Sequence, residues 1–145
     1  IKATVDNKPL NTSEHMLYNG VMVSDVPNMA MVIGYVNASW TLKVDVVADY
    51  ICRLFNFMDQ TGYDEVIAPT DHSAMLEETV IGEMSSGYIA RAADQLPKQG
   101  TKAPWMATHN YLADRKELKN ARFDDGILKF HKRSAEDNRK PKLVS

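Results

Sequence analysis

A chain of 145 residues with 44% hydrophobic and 25% charged side chains has the make-up of one globular domain, or of part of a larger one. Its net charge of −2 gives no reason to expect nucleic acid or an acidic membrane as the main partner. The single cysteine, Cys52, excludes an internal disulfide and fits a reducing compartment. No apolar run approaches the length of an integral membrane span, and no signal peptide is visible. The first residue is Ile1 rather than Met, which is compatible with a missing upstream portion and a targeting segment lost with it.

In chain order, residues 1–10 alternate apolar and polar around Asp6-Asn7, which predicts two short strands joined by a tight turn, with Pro9 ending the pairing. Residues 16–23 read as an extended segment broken at Asn19-Gly20, and residues 24–28 as a turn. The apolar run Met29 to Ile33 has strand length and ends at Gly34. A long amphipathic helix follows. Asn37 and Ser39 are both good N-caps, so its start is expected between them. Val44, Val47, Ile51, Leu54, Phe55 and Met58 recur at helical spacing and predict the buried face. Lys43, Asp45, Asp49, Arg53 and Asn56 fall mostly opposite, with Asp49 and Arg53 spaced to pair. Cys52 is expected to be a buried, inert thiol. Gly62 is a good helix stop.

Residues 64–83 are mixed and carry an adjacent carboxylate pair, Glu77 and Glu78, read as a solvated face. A short helix is predicted over 85–96, capped by Ser85 or Ser86 and ended by Pro97, then a loop over 98–104 and a helix from Trp105 to Asn120. Asp124-Asp-Gly126 predicts a turn before a strand over 127–130. From Ser134 on, the polar composition predicts disorder, and the basic residues around Lys132 and Lys140 read as a solvated tail.

Candidate chemistry is sparse. His15, His72, His109 and His131 have no zinc-type spacing, and Asp71-His72 reads as a surface pair, so no metal is expected. There is no Gly-x-Ser-x-Gly elbow, and the carboxylates of Glu77 and Glu78 would diverge on a helix. No Gly-x-Gly-x-x-Gly or Walker loop occurs, so this chain alone lacks the usual pyrophosphate site. The strand, turn and helix around Gly34 are different. A helix start leaves its first amides unpaired and partly positive, and can hold an anion or an electron-rich ligand atom. Core packing alone is the plainer reading of such a joint.

The run Gly34-Tyr-Val-Asn-Ala-Ser-Trp-Thr-Leu-Lys-Val-Asp45 resembles a segment of flavin-containing monooxygenases. The nearest group is the Baeyer–Villiger type that includes the ethionamide-activating enzymes. Tyr18 to Asn28, Ser86-Gly-Tyr88, Pro97 to Gly100, Ala103-Pro-Trp105, Asn110-Tyr111 and Asp124-Asp-Gly126 resemble the same group in order, so the likeness covers about residues 1–130. It implies an enzyme in which NADPH reduces FAD. The reduced flavin takes up O2 as a C4a-peroxide, which inserts oxygen into a ketone or oxidises a sulfur or nitrogen atom. The flavin carries that chemistry and the protein positions it. Position by position, the resemblance sets Gly34 and Tyr35 at the strand end facing the isoalloxazine, and Asn37, Ala38, Ser39, Trp40 and Thr41 at the helix start on its pyrimidine edge. There the backbone amides of residues 39–41 would steady negative charge on the reduced ring. Trp40 is read equally as a packing anchor.

The departures are large. Both Gly-rich loops, the Phe-x-Gly-x-x-x-His-x-x-x-Trp fingerprint and the arginine held to steady the peroxide are absent, and all lie upstream in the family. The expected fold is therefore α+β: an incomplete sheet of short strands, one long helix and shorter helices, as the C-terminal fragment of a two-dinucleotide-binding α/β flavoprotein. Residues 1–62 are expected to belong to the FAD-binding domain, 63–133 to a C-terminal extension and 134–145 to a flexible tail. The chain alone is expected to be inactive. Expected partners are a small ketone or sulfide and O2, in the cytoplasm, with a homo-oligomer compatible. Two other readings stand beside this one: a non-catalytic interaction or oligomerisation module, and an α+β domain unrelated to flavin.

Overall fold

The computed structural model describes residues 3–5, 7–82 and 95–132. Among them the fold is α+β, with two helices and four two-stranded antiparallel ladders. Strands β1 (Thr4–Val5) and β2 (Lys8–Pro9) form the predicted first hairpin. Pro9 pairs with Thr4 rather than ending the ladder, as an edge strand permits.

Strands β3 (Leu17–Tyr18) and β4 (Met22–Val23) flank the Asn19-Gly20 turn. Both turn residues have positive φ, 52° and 64°, and Val21 N–H donates to Tyr18 C=O at 3.0 Å. This is the backbone that Asn-Gly supplies at little cost. The hairpin is buried on both faces, because successive side chains point in opposite directions. Met16, Tyr18 and Met22 enter the main core, while Leu17 and Val23 enter a second, smaller one with Val26 and Val80.

The run Met29 to Ile33 is not a strand. It is extended and hydrogen-bonds back onto the β4 region, Val23 N–H to Met29 C=O at 3.0 Å and Met31 N–H to Val21 C=O at 2.9 Å, but only one bridge, Met22 to Ala30, forms. Asn28 accounts for part of this. Its φ of 55° turns the chain, and its side chain occupies β5 (Glu65–Ile67) by accepting from Val66 N–H at 2.9 Å and donating to Asp64 C=O at 3.0 Å.

Helix α1 runs Trp40–Thr61. Gly62 ends it at φ 68°, where Gly62 N–H bonds Asp59 C=O and Tyr63 N–H bonds Met58 C=O, a Schellman stop. Its buried face differs from the predicted one. Lys43, Val47, Tyr50, Leu54 and Met58 are buried, whereas Val44 and Phe55 are exposed. Cys52 is also exposed, not buried. Arg53 does not pair with Asp49. Its guanidinium donates to Leu118 C=O and Ala121 C=O, both at 2.6 Å, and so caps the end of helix α2 (Tyr111–Asn120). A cation with five donors is well suited to these orphan carbonyls.

Helix α2 begins six residues later than predicted. Asn110 Oδ1 accepts from Ala113 N–H at 3.1 Å and sets the start, while His109 at φ 50° cannot continue a helix backwards. Trp105 is buried in the preceding loop, edge-on to Tyr18 at 5.7 Å. Strands β6 (Met75–Thr79) and β7 (Lys98–Gly100) pair, so part of the predicted 98–104 loop is ladder. Glu77 and Glu78 are exposed on β6, and Glu77 meets Lys98 at 2.5 Å. The Asp124-Asp-Gly126 turn leads into β8 (Lys129–His131), slightly later than predicted, which pairs with β5. Rings of Tyr50, Phe57, Tyr63, Phe123 and Phe130 stack edge-on or tilted, 5.2–5.5 Å apart, and tie α1 to this last segment. Residues 85–94 of the predicted short helix, the Ser86-Gly-Tyr88 run and the 134–145 tail lie outside the described residues.

Candidate flavin-facing helix start

Gly34 and Tyr35 are buried at the end of the extended run, and the chain from Val36 to Thr41 is exposed. Gly34 is required by contact. A Cβ there would lie 2.3 Å from Cδ2 and Cε2 of the Trp40 indole, which is folded back over the glycine backbone. The other face of the indole is open, with Trp40 59% exposed. Ser39 is the N-cap residue, but its side chain makes no cap bond; its hydroxyl pairs with Thr41 Oγ1 at 2.8 Å. No acidic residue stands in the first turn. The helix start therefore keeps its partial positive charge and offers it to the surface.

Beneath it lies a buried polar cluster. Lys43 Nζ meets Asp114 Oδ2 at 2.7 Å, and the Lys43 and Asp114 side chains are only 7% and 11% exposed. Thr108 Oγ1 donates to the other Asp114 oxygen at 2.9 Å. Lys43 also lies 5.3 Å from the centre of the Tyr35 ring. The Tyr35 hydroxyl is buried without a partner at hydrogen-bond geometry. Burial first, and the Asp114 carboxylate second, raise its pKa. A void of about 10 Å³ lined by Tyr35, Lys43, His109 and Asp114 has room for no more than one water. An open cleft of about 330 Å³ between the helices carries Asp45 and Asp49 on one wall and Arg115 and Lys119 on the other.

All seven predicted site residues thus fall in one continuous stretch, two buried and five exposed. Sequence reading missed Lys43 and Asp114. The only signal was a lysine one turn before Val47 on what becomes the buried side. Among the described residues, no group of three or more His, Cys, Asp or Glu is arranged to hold a metal.

These features suit the edge of a planar, electron-rich ring: an uncapped helix start, no acid in its own first turn, a glycine with no room for a side chain and a surface-open segment. Over its whole length the chain is similar to one part of proteins named as FAD-binding or FAD-containing monooxygenases. It is 68% identical over all of its length to a protein named "Probable FAD-binding monooxygenase AlmA" from an Acinetobacter species, and 67% identical to the protein of that name in Acinetobacter baylyi. It is 44% identical, over 92% of its length, to the FAD-containing monooxygenase EthA of Mycobacterium tuberculosis. The chain spans 27–30% of the length of these curated relatives. No protein-family model and no solved structure matches it.

Proposed function

We propose that this chain is the C-terminal portion of an FAD- and NADPH-dependent monooxygenase that inserts one atom of O2 into a ketone or oxidises a sulfur or nitrogen atom. In that reading residues 1–62 complete the FAD-binding domain, 63–133 are an extension packed on it and 134–145 a tail. The main core supports close packing of the first two segments, since it draws on Tyr18 and Tyr50 together with Trp105, Leu118 and Phe123. The enzyme would act in the cytoplasm; among the described residues no helix is long and apolar enough to cross a membrane.

The observation that carries the reading is the uncapped, surface-open start of α1 within a chain whose relatives are named for FAD. Gly34, Tyr35, Asn37, Ala38, Ser39, Trp40 and Thr41 would hold the flavin edge. The bound flavin supplies the oxygen-transfer chemistry. The chain's own part is to offer the Ser39 to Thr41 amides to charge on the ring, and to keep Gly34 flat so that the Trp40 indole stays in place. Lys43 and Asp114 hold this turn against α2 from below.

The test is made in the full-length protein. Ser39→Pro removes one amide, and Thr41→Asp sets a negative charge in the first turn. Both are expected to lower the flavin reduction potential or FAD content while α1 still folds. Unchanged flavin content and potential in both variants would overturn the assignment.

A further inference from the structure

The apolar arc of α1 is wider than the arc this chain covers. Beside the buried residues runs a second row, Trp40, Val44, Ala48, Cys52 and Phe55, spaced four, four, four and three, and all exposed. Trp40, Val44 and Phe55 are 59%, 45% and 55% exposed. Helical spacing sets these side chains in one stripe over four turns, bordered on the core side by half-buried Ile51. Its outer edge is lined by exposed Asp45, Asp49 and Asn56. An apolar row of this length on a water-facing helix marks a contact surface.

Two features identify the occupant. First, the charged side chains left exposed on α1 are acidic: Asp45, Asp49 and Asp59, since Lys43 is buried and Arg53 is turned onto α2. A second copy packed by the same stripe would bring one acidic edge towards another, an opposition partly offset by Arg115 and Lys119 across the cleft that Asp45 and Asp49 line. Second, the match covers 29% of the Acinetobacter relative, so about seven-tenths of such a polypeptide lies outside it.

We infer that the Trp40–Phe55 stripe seats the remainder of the monooxygenase polypeptide, through an apolar surface with a neutral or basic edge. This rests on the reading that the chain is a portion of such an enzyme. Cys52 is the only cysteine in the sequence and sits within the stripe, so it reports directly on cover.

The experiment follows N-ethylmaleimide labelling of Cys52 in the 145-residue chain, alone and mixed with the separately expressed remainder of the Acinetobacter relative, while FAD uptake is read by absorbance. Labelling is expected to slow by about tenfold or more in the mixture. Val44→Asp and Phe55→Ser are expected to weaken association by about tenfold or more each. Leu112→Ser, on the exposed side of α2, is expected to leave it unchanged. These positions are exposed, so the core stays intact, and helix content by circular dichroism checks that. FAD uptake with Cys52 still fully reactive overturns this inference and leaves the flavin reading standing. Protection without FAD uptake supports the inference and counts against the flavin reading. No association overturns it. So does protection of the chain alone as its mass doubles, which would make a second copy the occupant.

Discussion

Lys43 and Asp114, each the fourth residue of its helix, form a buried ion pair between α1 and α2 at 2.7 Å across 71 residues of sequence. A lysine near a helix start opposes the helix dipole, and burial adds a desolvation cost. Asp114, held in turn by Thr108, offsets both. Lys43→Met leaves a buried carboxylate without its counter-ion and is expected to cost about 3–5 kcal/mol. The double variant Lys43→Met with Asp114→Leu is expected to recover most of that. Denaturant unfolding of the two single variants and the double variant measures the coupling.

Gly34 and Trp40 make a second tight pair. An alanine at position 34 would place its Cβ 2.3 Å from the indole. The ring has an open side, so it is expected to swing outward rather than break the core, at about 1 kcal/mol. Near-ultraviolet circular dichroism would report the lost ring environment. In the full-length protein the same substitution is expected to reduce FAD content. A variant with wild-type tryptophan signal and stability would show that the contact carries no constraint.

Arg53 serves α2 from a distance. Replacing it with Met removes donors from Leu118 C=O and Ala121 C=O and is expected to cost about 2 kcal/mol. Hydrogen exchange should rise first in the last turn of α2, where those carbonyls lie. Exchange rising evenly over the chain would mean that Arg53 acts elsewhere.

Local signals were the legible ones. Asn19-Gly20, Gly62 and Asp124-Asp-Gly126 each set a backbone conformation within a few residues, and each turn or stop forms where the sequence puts it. Distant partners were not legible. The Met29 to Ile33 run has strand chemistry but finds only one bridge, because Asn28 takes up hydrogen bonds of β5. Trp105 to Asn110 has helical spacing, yet Asn110 caps the helix after it. Lys43 reads as a surface residue until Asp114 is placed beside it, and Arg53 has a nearer acid at Asp49 but two better acceptors on α2. The seven candidate residues fall at a turn and helix start as the sequence orders them, but the run leading in is not a strand, and the polar cluster beneath them was not legible.

Among the described residues, three buried phenols set the alkaline limit of the fold. Burial pushes the Tyr50 hydroxyl from its ordinary 10.0 up to about 12, with Asn19 pulling the other way. Burial is also the largest cause raising Tyr18, which donates to Asp125, and Tyr35. A phenol whose folded pKa lies above its unfolded value favours folding fully below the unfolded value, and that contribution is lost as pH rises towards the folded one. Stability is therefore expected to be flat with respect to these groups below pH 10 and to fall above it, by about 1.4 kcal/mol per pH unit for each phenol. Phenolate absorbance for these three should appear together with loss of helix signal. Tyr50→Phe removes one of them and also deletes a buried hydroxyl without a partner. It is expected to leave neutral-pH stability unchanged or raise it by about 1 kcal/mol, and to move the alkaline transition upward. A variant that unfolds at lower pH than the wild type would show that the Tyr50 hydroxyl has a stabilising partner after all.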